Sequence, residues 1–221
     1  MNLLAIETAT NVCGLAYFHN GELAGLEERE LNREHAERLP FNYRELKKTN
    51  RFQLSNLGGI AISIGPGSFT GLRIGLSYAK GLAFSVNIPL IPVPTLQTLV
   101  WGSGINNGKV LSVLHSHKDL VYHQRFDVSE KKICKLSEAR SEKWDDFIKD
   151  IEEGEILCQY GCDTFLETMN IGNVVKTVTP SSRFVGELAL SRFETWKIEK
   201  FYQLEPNYIS HFKIQKHVGV R

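Results

Sequence analysis

No apolar run in this sequence approaches the ~20 residues that a membrane-spanning helix requires. The opening decapeptide, MNLLAIETAT, has no basic region, and its apolar stretch is too short for a secretory signal. A cytoplasmic setting is therefore expected. Cysteine is scarce: Cys13, Cys134, Cys158 and Cys162 form no CxxC and match neither a disulfide framework nor a zinc site. Reduced thiols are expected. Charge of both signs nearly cancels, with a formal net charge of +1. Tight autonomous binding to RNA rests on phosphate neutralisation, so that balance argues against it.

Several catalytic signatures are also missing. Gly71 is followed by Leu72-Arg73, not by the Lys-Ser/Thr of a nucleotide-binding P-loop. Gly65-x-Gly67 meets Thr70 where the dinucleotide fingerprint needs a third glycine. No two histidines stand four residues apart, so no helical His-x-x-x-His metal pair exists. Ser68 sits in a glycine turn but not in a GxSxG elbow, and no nucleophile has an evident oriented base. A protease is not supported.

What remains is an α/β pattern that occurs twice. LLAIET and GLAYFHN read as strands, and Asn20-Gly21 marks a type I′ hairpin into ELAGLEERE. Residues 32–48 read as a helix with Asn32 as cap and with a kink or late start at Pro40. GGIAISIG and IPLIPV are further strands, and TLQTLVWG is a helix. The turn-rich GSGINNG then suggests a lobe boundary, giving lobes 1–102 and 103–221. Beyond it, KVLSVLH, VYHQRFDV and KKICKL are strands. SEKWDDFIKDI reads as a helix capped by Ser141, with Trp144, Phe147, Ile148 and Ile151 on one face. EILCQY and VVKTV are strands, and Thr179-Pro180 opens a long helix carrying Val185, Leu188, Ala189 and Trp196. Two lobes of mixed sheet with a cleft between them are implied.

The stretch SIGPGSFTGLRIGLSYAKGLA is the most informative. Gly65, Gly67 and Ser68 allow a tight turn into a helix N-terminus, a geometry able to hold an anion. On the helix that follows, Gly71, Gly75, Ala79 and Ala83 form a small-residue stripe. Ile74, Tyr78 and Leu82 run beside it, Leu72 and Leu76 lie on its other side, and Thr70, Arg73, Ser77 and Lys80 form a narrow polar arc. So apolar a helix is buried on more than one side, either within its own lobe or against a partner helix admitted by the small stripe.

The segment GPGSFTGLRIGLSYAKGLA is very similar to the signature of the TsaB (YeaZ) family. LLAIETAT resembles that family's first strand, with Glu7 where Asp is usual. REHAERLP, IPLIPVPTL and LEPNYIS resemble other family segments, whereas HSHKDL replaces a frequent Asp-Ala-Arg turn. The resemblance implies an actin-like (ASKHA) fold of two ribonuclease-H-like lobes. It also implies a non-catalytic paralogue of TsaD, the subunit that transfers threonylcarbamoyl to adenosine beside the anticodon of tRNA. TsaD-like and TsaE-like partners, homodimers when alone, and contact with tRNA only through the complex follow from it, with ATP and metal belonging to the partners. The implied partner interface comprises His35, Leu39, Tyr43, Leu46, Gly71, Ile74, Gly75, Tyr78, Ala79 and Leu82.

Glu7, Thr8 and Thr10, with Gly65, Gly67 and Ser68, would be a vestigial nucleotide loop. The alternative is an active ASKHA phosphotransferase or hydrolase in which Glu7 binds Mg²⁺ through water. His115, His117 and Asp119 would share a strand face and gather a metal, but a hairpin turn is expected at Lys118-Asp119. Gly161 falls where ASKHA proteins often carry an adenosine-site glycine pair.

Overall fold

The computed structural model describes residues 1–31, 34–167 and 172–209. Two mixed sheets account for the doubled pattern. In the first, β1 (Leu3–Glu7), β2 (Val12–His19) and β3 (Glu22–Glu30) are antiparallel neighbours. The chain then forms α1 (His35–Asn50), β4 (Gly59–Gly65), α2 (Phe69–Val86) and β5 (Leu90–Pro94), with β4 and β5 adding parallel to β1. The hairpin after β2 has positive φ at both Asn20 (51°) and Gly21 (86°), as its sequence requires.

After α3 (Thr95–Gly102) the plan repeats. β6 (Asn107–His117), β7 (Leu120–Ser129) and β8 (Lys132–Lys135) are antiparallel. β9 (Arg140–Lys143) pairs on β7 and leads into α4 (Trp144–Phe147). β10 (Ile156–Tyr160), α5 (Asp163–Leu166) and β11 (Val175–Thr177) follow, both strands parallel to β6. The strand orders β3-β2-β1-β4-β5 and β8-β7-β6-β10-β11 are equivalent.

Strand alternation sends Leu4 and Ile6 to one face of the first sheet and Leu3 and Ala5 to the other. Leu39 and Leu46 of α1 and Leu76, Ala79 and Ala83 of α2 cover the first face. The second face is covered from far along the chain. Val185, Leu188 and Ala189 of α6 (Ser182–Ser191) pack on Leu3, Ala5, Phe18, Ile91 and Val93. Conversely, Leu96, Leu99 and Val100 of α3 pack on Val110, Leu114, Phe126 and Cys158 of the second sheet. Residues 102–103 thus separate the sheets but not the packing, because each sheet is covered by a helix from the other half. Trp101 Nε1 donates to Glu187 Oε2 at 3.0 Å, joining the two exchanged helices.

Four local expectations are corrected. Ser141 caps no helix; it lies in β9, and the helical turn starts at Trp144. Trp144 and Phe147 are buried, and Ile148 and Ile151 pack against their cluster, as the apolar spacing implied. The C-terminal helix starts after Ser181, whose Oγ accepts from Arg183 N, so Thr179-Pro180 precedes the cap. It ends at Ser191, and Trp196 lies on a separate turn, α7 (Phe193–Trp196). Helix α1 starts at His35 and runs through Pro40, which overturns the late start there, and Asn32 lies outside the described residues.

Gly186 tests the exchange. A Cβ there would overlap the Phe18 ring, with Cζ at 2.6 Å, and Phe18 is fully buried. Gly186→Ala is expected to lower stability by ~1–3 kcal/mol through overpacking. Urea unfolding measures this, and unchanged stability would contradict the packing of α6 on β2.

Candidate functional site

The glycine-rich turn is built to let α2 settle onto the backbone after β1. Gly65 has φ +109°, and a Cβ on it would lie 2.9 Å from Asn207 O. Ser68 N donates to Ala9 O at 2.6 Å, and Ser68 Oγ accepts from Gly71 N at 3.2 Å as the N-cap. A Cβ on Gly67 or Gly71 would overlap the carbonyl oxygen of Ala9 or Thr8. At Gly75 it would overlap Thr8 Oγ1 and sit 3.0 Å from Ile62 Cδ1.

The small-residue stripe therefore faces the chain's own first sheet. Gly71, Gly75 and Ala79 are buried inside the lobe, as are Leu39 and Leu46 on α1. Their expected role as partner contacts is corrected on that ground: another molecule cannot touch side chains already enclosed. His35 is also buried, with Nε2 3.3 Å from Val12 O. Tyr43, Ile74, Tyr78 and Leu82 are half-buried on the outward side. The Tyr43 and Tyr78 rings meet edge to face at 6.0 Å, and burial raises both hydroxyl pKa values.

The sequence reading missed other members of this face. Phe41 is exposed, with the Arg38 and Arg44 guanidinium groups 5.4 and 5.9 Å from its ring centroid. Gly81 and Phe84 lie on the outer arc of α2. The C-terminal segment runs beside them. Asn207 N donates to Ile64 O at 2.7 Å, Arg73 Nε to Tyr208 Oη at 2.9 Å, and Lys80 Nζ to Tyr202 O at 2.9 Å. Phe201 is buried in the core shared by α1 and α2. Phe84 falls within the polar arc of the wheel and Gly81 at its edge, and that irregularity was the available signal.

A cleft of about 1280 Å³ opens between the sheets. Thr10, His35, Gly67, Ser68 and Gly71 line it from the first half, and His115, His117, Tyr160 and Gly161 from the second. Tyr160 bridges the halves through its hydroxyl, which donates to Asn11 Oδ1 and lies 3.2 Å from Glu30 Oε1. Burial, reinforced by Glu30, pushes that hydroxyl's pKa up to about 12.

No Asp, Glu, Lys or Arg is among the described cleft-lining residues. Glu7 is fully buried, outside the cleft wall. Its Oε1 accepts from Ala9 N at 2.6 Å, and its Oε2 has no partner. Burial, partly offset by the Ala9 and Ser63 hydrogen bonds, pushes its pKa up to about 7. This donor set does not fit a metal-bound nucleotide. His115, His117 and Asp119 do not converge either. His115 Nε2 lies 3.0 Å from Lys118 O, His117 Nδ1 lies 3.1 Å from Ser116 Oγ, and Asp119, in the β6–β7 turn, pairs with Lys143 of β9.

The family model for TsaD, tRNA N6-adenosine threonylcarbamoyltransferase, matches residues 20–176. The TsaB protein of Escherichia coli K12 is 35% identical over 60% of this chain and 58% of its own length. That of Haemophilus influenzae is 34% identical over 45% of this chain and 42% of its own. The chain thus spans about half the length of those two relatives. The TsaB protein of Buchnera aphidicola (Baizongia pistaciae) is 26% identical over 94% of this chain and 97% of its own. The chain belongs to the TsaB (YeaZ) branch of this family. YeaZ from Pseudomonas aeruginosa superposes with a TM-score of 0.80 at 22% identity, covering 94% of this chain and 99% of its own. That likeness supports the α/β fold of two mixed sheets flanked by helices.

Two outcomes check the site geometry. A folded-state pKa near 7 for Glu7, above the usual 4.5, means that the native state holds a proton which the unfolded chain releases. The stabilising contribution is full below pH ~4.5 and is lost as pH rises to ~7, amounting to ~3 kcal/mol at ~1.4 kcal/mol per pKa unit. Glu7→Gln should flatten that part of the stability–pH curve, and an unchanged slope would sink the assignment. Gly75→Leu should destabilise the fold by at least ~1–3 kcal/mol, read as a lower melting temperature. A variant as stable as the wild type would return Gly75 to the list of partner contacts.

Proposed function

We propose that this chain is a non-catalytic subunit in the formation of threonylcarbamoyladenosine in tRNA, and that it binds and activates a TsaD-like catalytic subunit. The single observation that carries the reading is the chemistry of the cleft in a member of this family. Its described walls offer no carboxylate, and the one acid at the end of β1, Glu7, is sealed away from it. A metal ion and ATP would be held by partner subunits, the latter by a TsaE-like ATPase. Contact with tRNA would run through the assembled complex, consistent with the near-neutral net charge.

The outward side of α1 and α2 supports the choice of docking face. Tyr43, Ile74, Tyr78 and Leu82 are half-exposed there, and Phe41 is exposed. Aromatic and arginine side chains gathered at one surface are the composition that protein interfaces favour. A homodimer formed by the isolated chain would use the same face and compete with the catalytic subunit for it.

The test is reconstitution with the TsaD-like and TsaE-like proteins of the same organism. The chain alone should neither hydrolyse ATP nor modify tRNA, and the mixture should modify tRNA only when the chain is present. Turnover by the chain alone that vanishes in Glu7→Ala would overturn the proposal in favour of an active phosphotransferase or hydrolase.

A further inference from the structure

The formal net charge of +1 is not spread evenly along the chain. Residues 44–51, RELKKTNR, hold four cations and one acid, so the remainder of the chain is net negative. Arg44, Lys47, Lys48 and Arg51 recur at the i, i+3, i+4, i+7 spacing of one helix face. That face is turned away from the buried side of α1, which carries His35, Leu39, Asn42 and Leu46. Arg44, Lys48 and Arg51 are exposed, and Lys47 is half-buried. Among the described residues none of the four forms an ion pair, although Glu45 stands three residues before Lys48.

The Arg44 guanidinium lies 5.9 Å from the centroid of the Phe41 ring, which Arg38 approaches as well. Arg51 stands at the C-cap with φ 51°, a left-handed conformation that glycine and asparagine adopt more readily. The helix dipole favours cations in the last turn, which accounts for Lys47 and Lys48. It does not account for Arg44, a turn earlier, nor for an arginine where glycine would suit the backbone better.

We propose that Arg44, Lys47, Lys48 and Arg51 form a ridge that lies along the phosphate backbone of the tRNA once the chain is assembled with its catalytic partner. This rests on the subunit reading above. Successive turns of α1 bring a cation to the surface about every 5.4 Å, so the charges follow a line instead of gathering at a point. A linear polyanion matches that arrangement. A protein partner matches it less well, because protein interfaces close around an apolar centre and are depleted in lysine. From Arg44 to Arg51 the exposed residues are Arg44, Lys48, Thr49 and Arg51, with no exposed apolar side chain. Phosphate contacts need no apolar area, since their affinity comes from released counterions. Four such contacts position RNA without reading its sequence. They add to the contacts of a partner and are too few for tight binding by a chain of near-zero net charge.

The experiment measures tRNA binding, over a series of salt concentrations, to the full chain reconstituted with the TsaD-like and TsaE-like proteins of the same organism. Wild type is compared with Arg51→Gly and with a quadruple variant carrying Arg44→Gln, Lys47→Gln, Lys48→Gln and Arg51→Gln. A melting curve and the affinity for the TsaD-like protein are recorded for each. The quadruple variant should pair with the TsaD-like protein as wild type does. It should bind tRNA at least ~10-fold more weakly at physiological salt, with a log–log salt slope shallower by ~3. The loss should be equal for any tRNA, because phosphates carry no sequence. Arg51→Gly should melt no lower than wild type, since glycine suits the left-handed cap, and should make the slope shallower by ~1. Wild-type affinity and slope in both variants would overturn the ridge and leave the subunit reading standing. Lost pairing with the TsaD-like protein in a quadruple variant that melts normally would place an acidic protein surface there and overturn the choice of RNA. Failure of the wild type to pair at all would remove the subunit reading and this inference together.

Discussion

The seat of α2 on the turn after β1 is the contact on which the rest of the molecule depends. Gly67, Gly71 and Gly75 bring the turn and the helix down until Ala9 and Thr8 fill the places where side chains would project. This fixes the depth and rotation of α2 together. With the small side inward, Leu76, Ala79 and Ala83 reach the core, and the 3.6-residue period turns Ile74, Tyr78, Gly81 and Phe84 outward. The outer face is thus set by the inner one. A side chain added to the inner stripe would tilt the helix and move every outward residue with it.

The exchanged helices make the two sheets one packed body. Phe18, Ile91 and Val93 are sealed by α6, from beyond the second sheet, and Val110 and Phe126 by α3, from before it. The Trp101–Glu187 bond ties these covers together. Separating the halves at residues 102–103 would strip one face from each sheet, which is why a chain boundary marked by glycine and asparagine is not an independent folding boundary. The Tyr160 hydroxyl, reaching Asn11 across the cleft, adds a polar tie between the sheets.

The sequence made the strands and the Asn20-Gly21 hairpin legible because burial on both faces leaves continuous apolar runs, and a type I′ turn admits few residues. It hid β9, where Arg140, Ser141, Glu142 and Lys143 carry no apolar alternation and pair at the margin of the sheet. The start of α6 offered two adjacent signals, Thr179-Pro180 and Ser181-Ser182. A distant residue decides between them: the Glu28 carboxylate accepts from Ser182 N and from both serine hydroxyls. The helical wheel of α2 showed a small stripe but not which neighbour it meets, since both a sheet and a partner helix favour small residues. The role of the C-terminal segment was invisible for a similar reason. Its anchors, Phe201, Asn207 and Tyr208, have no periodicity and acquire meaning only beside α2.

Glu7 shows how the exchange reaches the cleft chemistry. Along β1, Thr8 meets α2, whereas Glu7 shares the opposite face with Leu3 and Ala5, the face that α6 covers. Gly14 lies between Glu7 and Glu28 in the strand register, and its missing side chain leaves room for the Glu28 carboxylate and Ser182 Oγ. The start of α6 is thereby drawn down over the end of β1. A carboxylate that positions a metal must keep solvent or ligand access, and this packing denies it to Glu7. Burial then disfavours the charged form and lifts the pKa towards neutrality, with Glu28 adding repulsion. The acid is thus enclosed by the same helix that completes the first sheet, so restoring it to the cleft would require α6 to leave the core it seals.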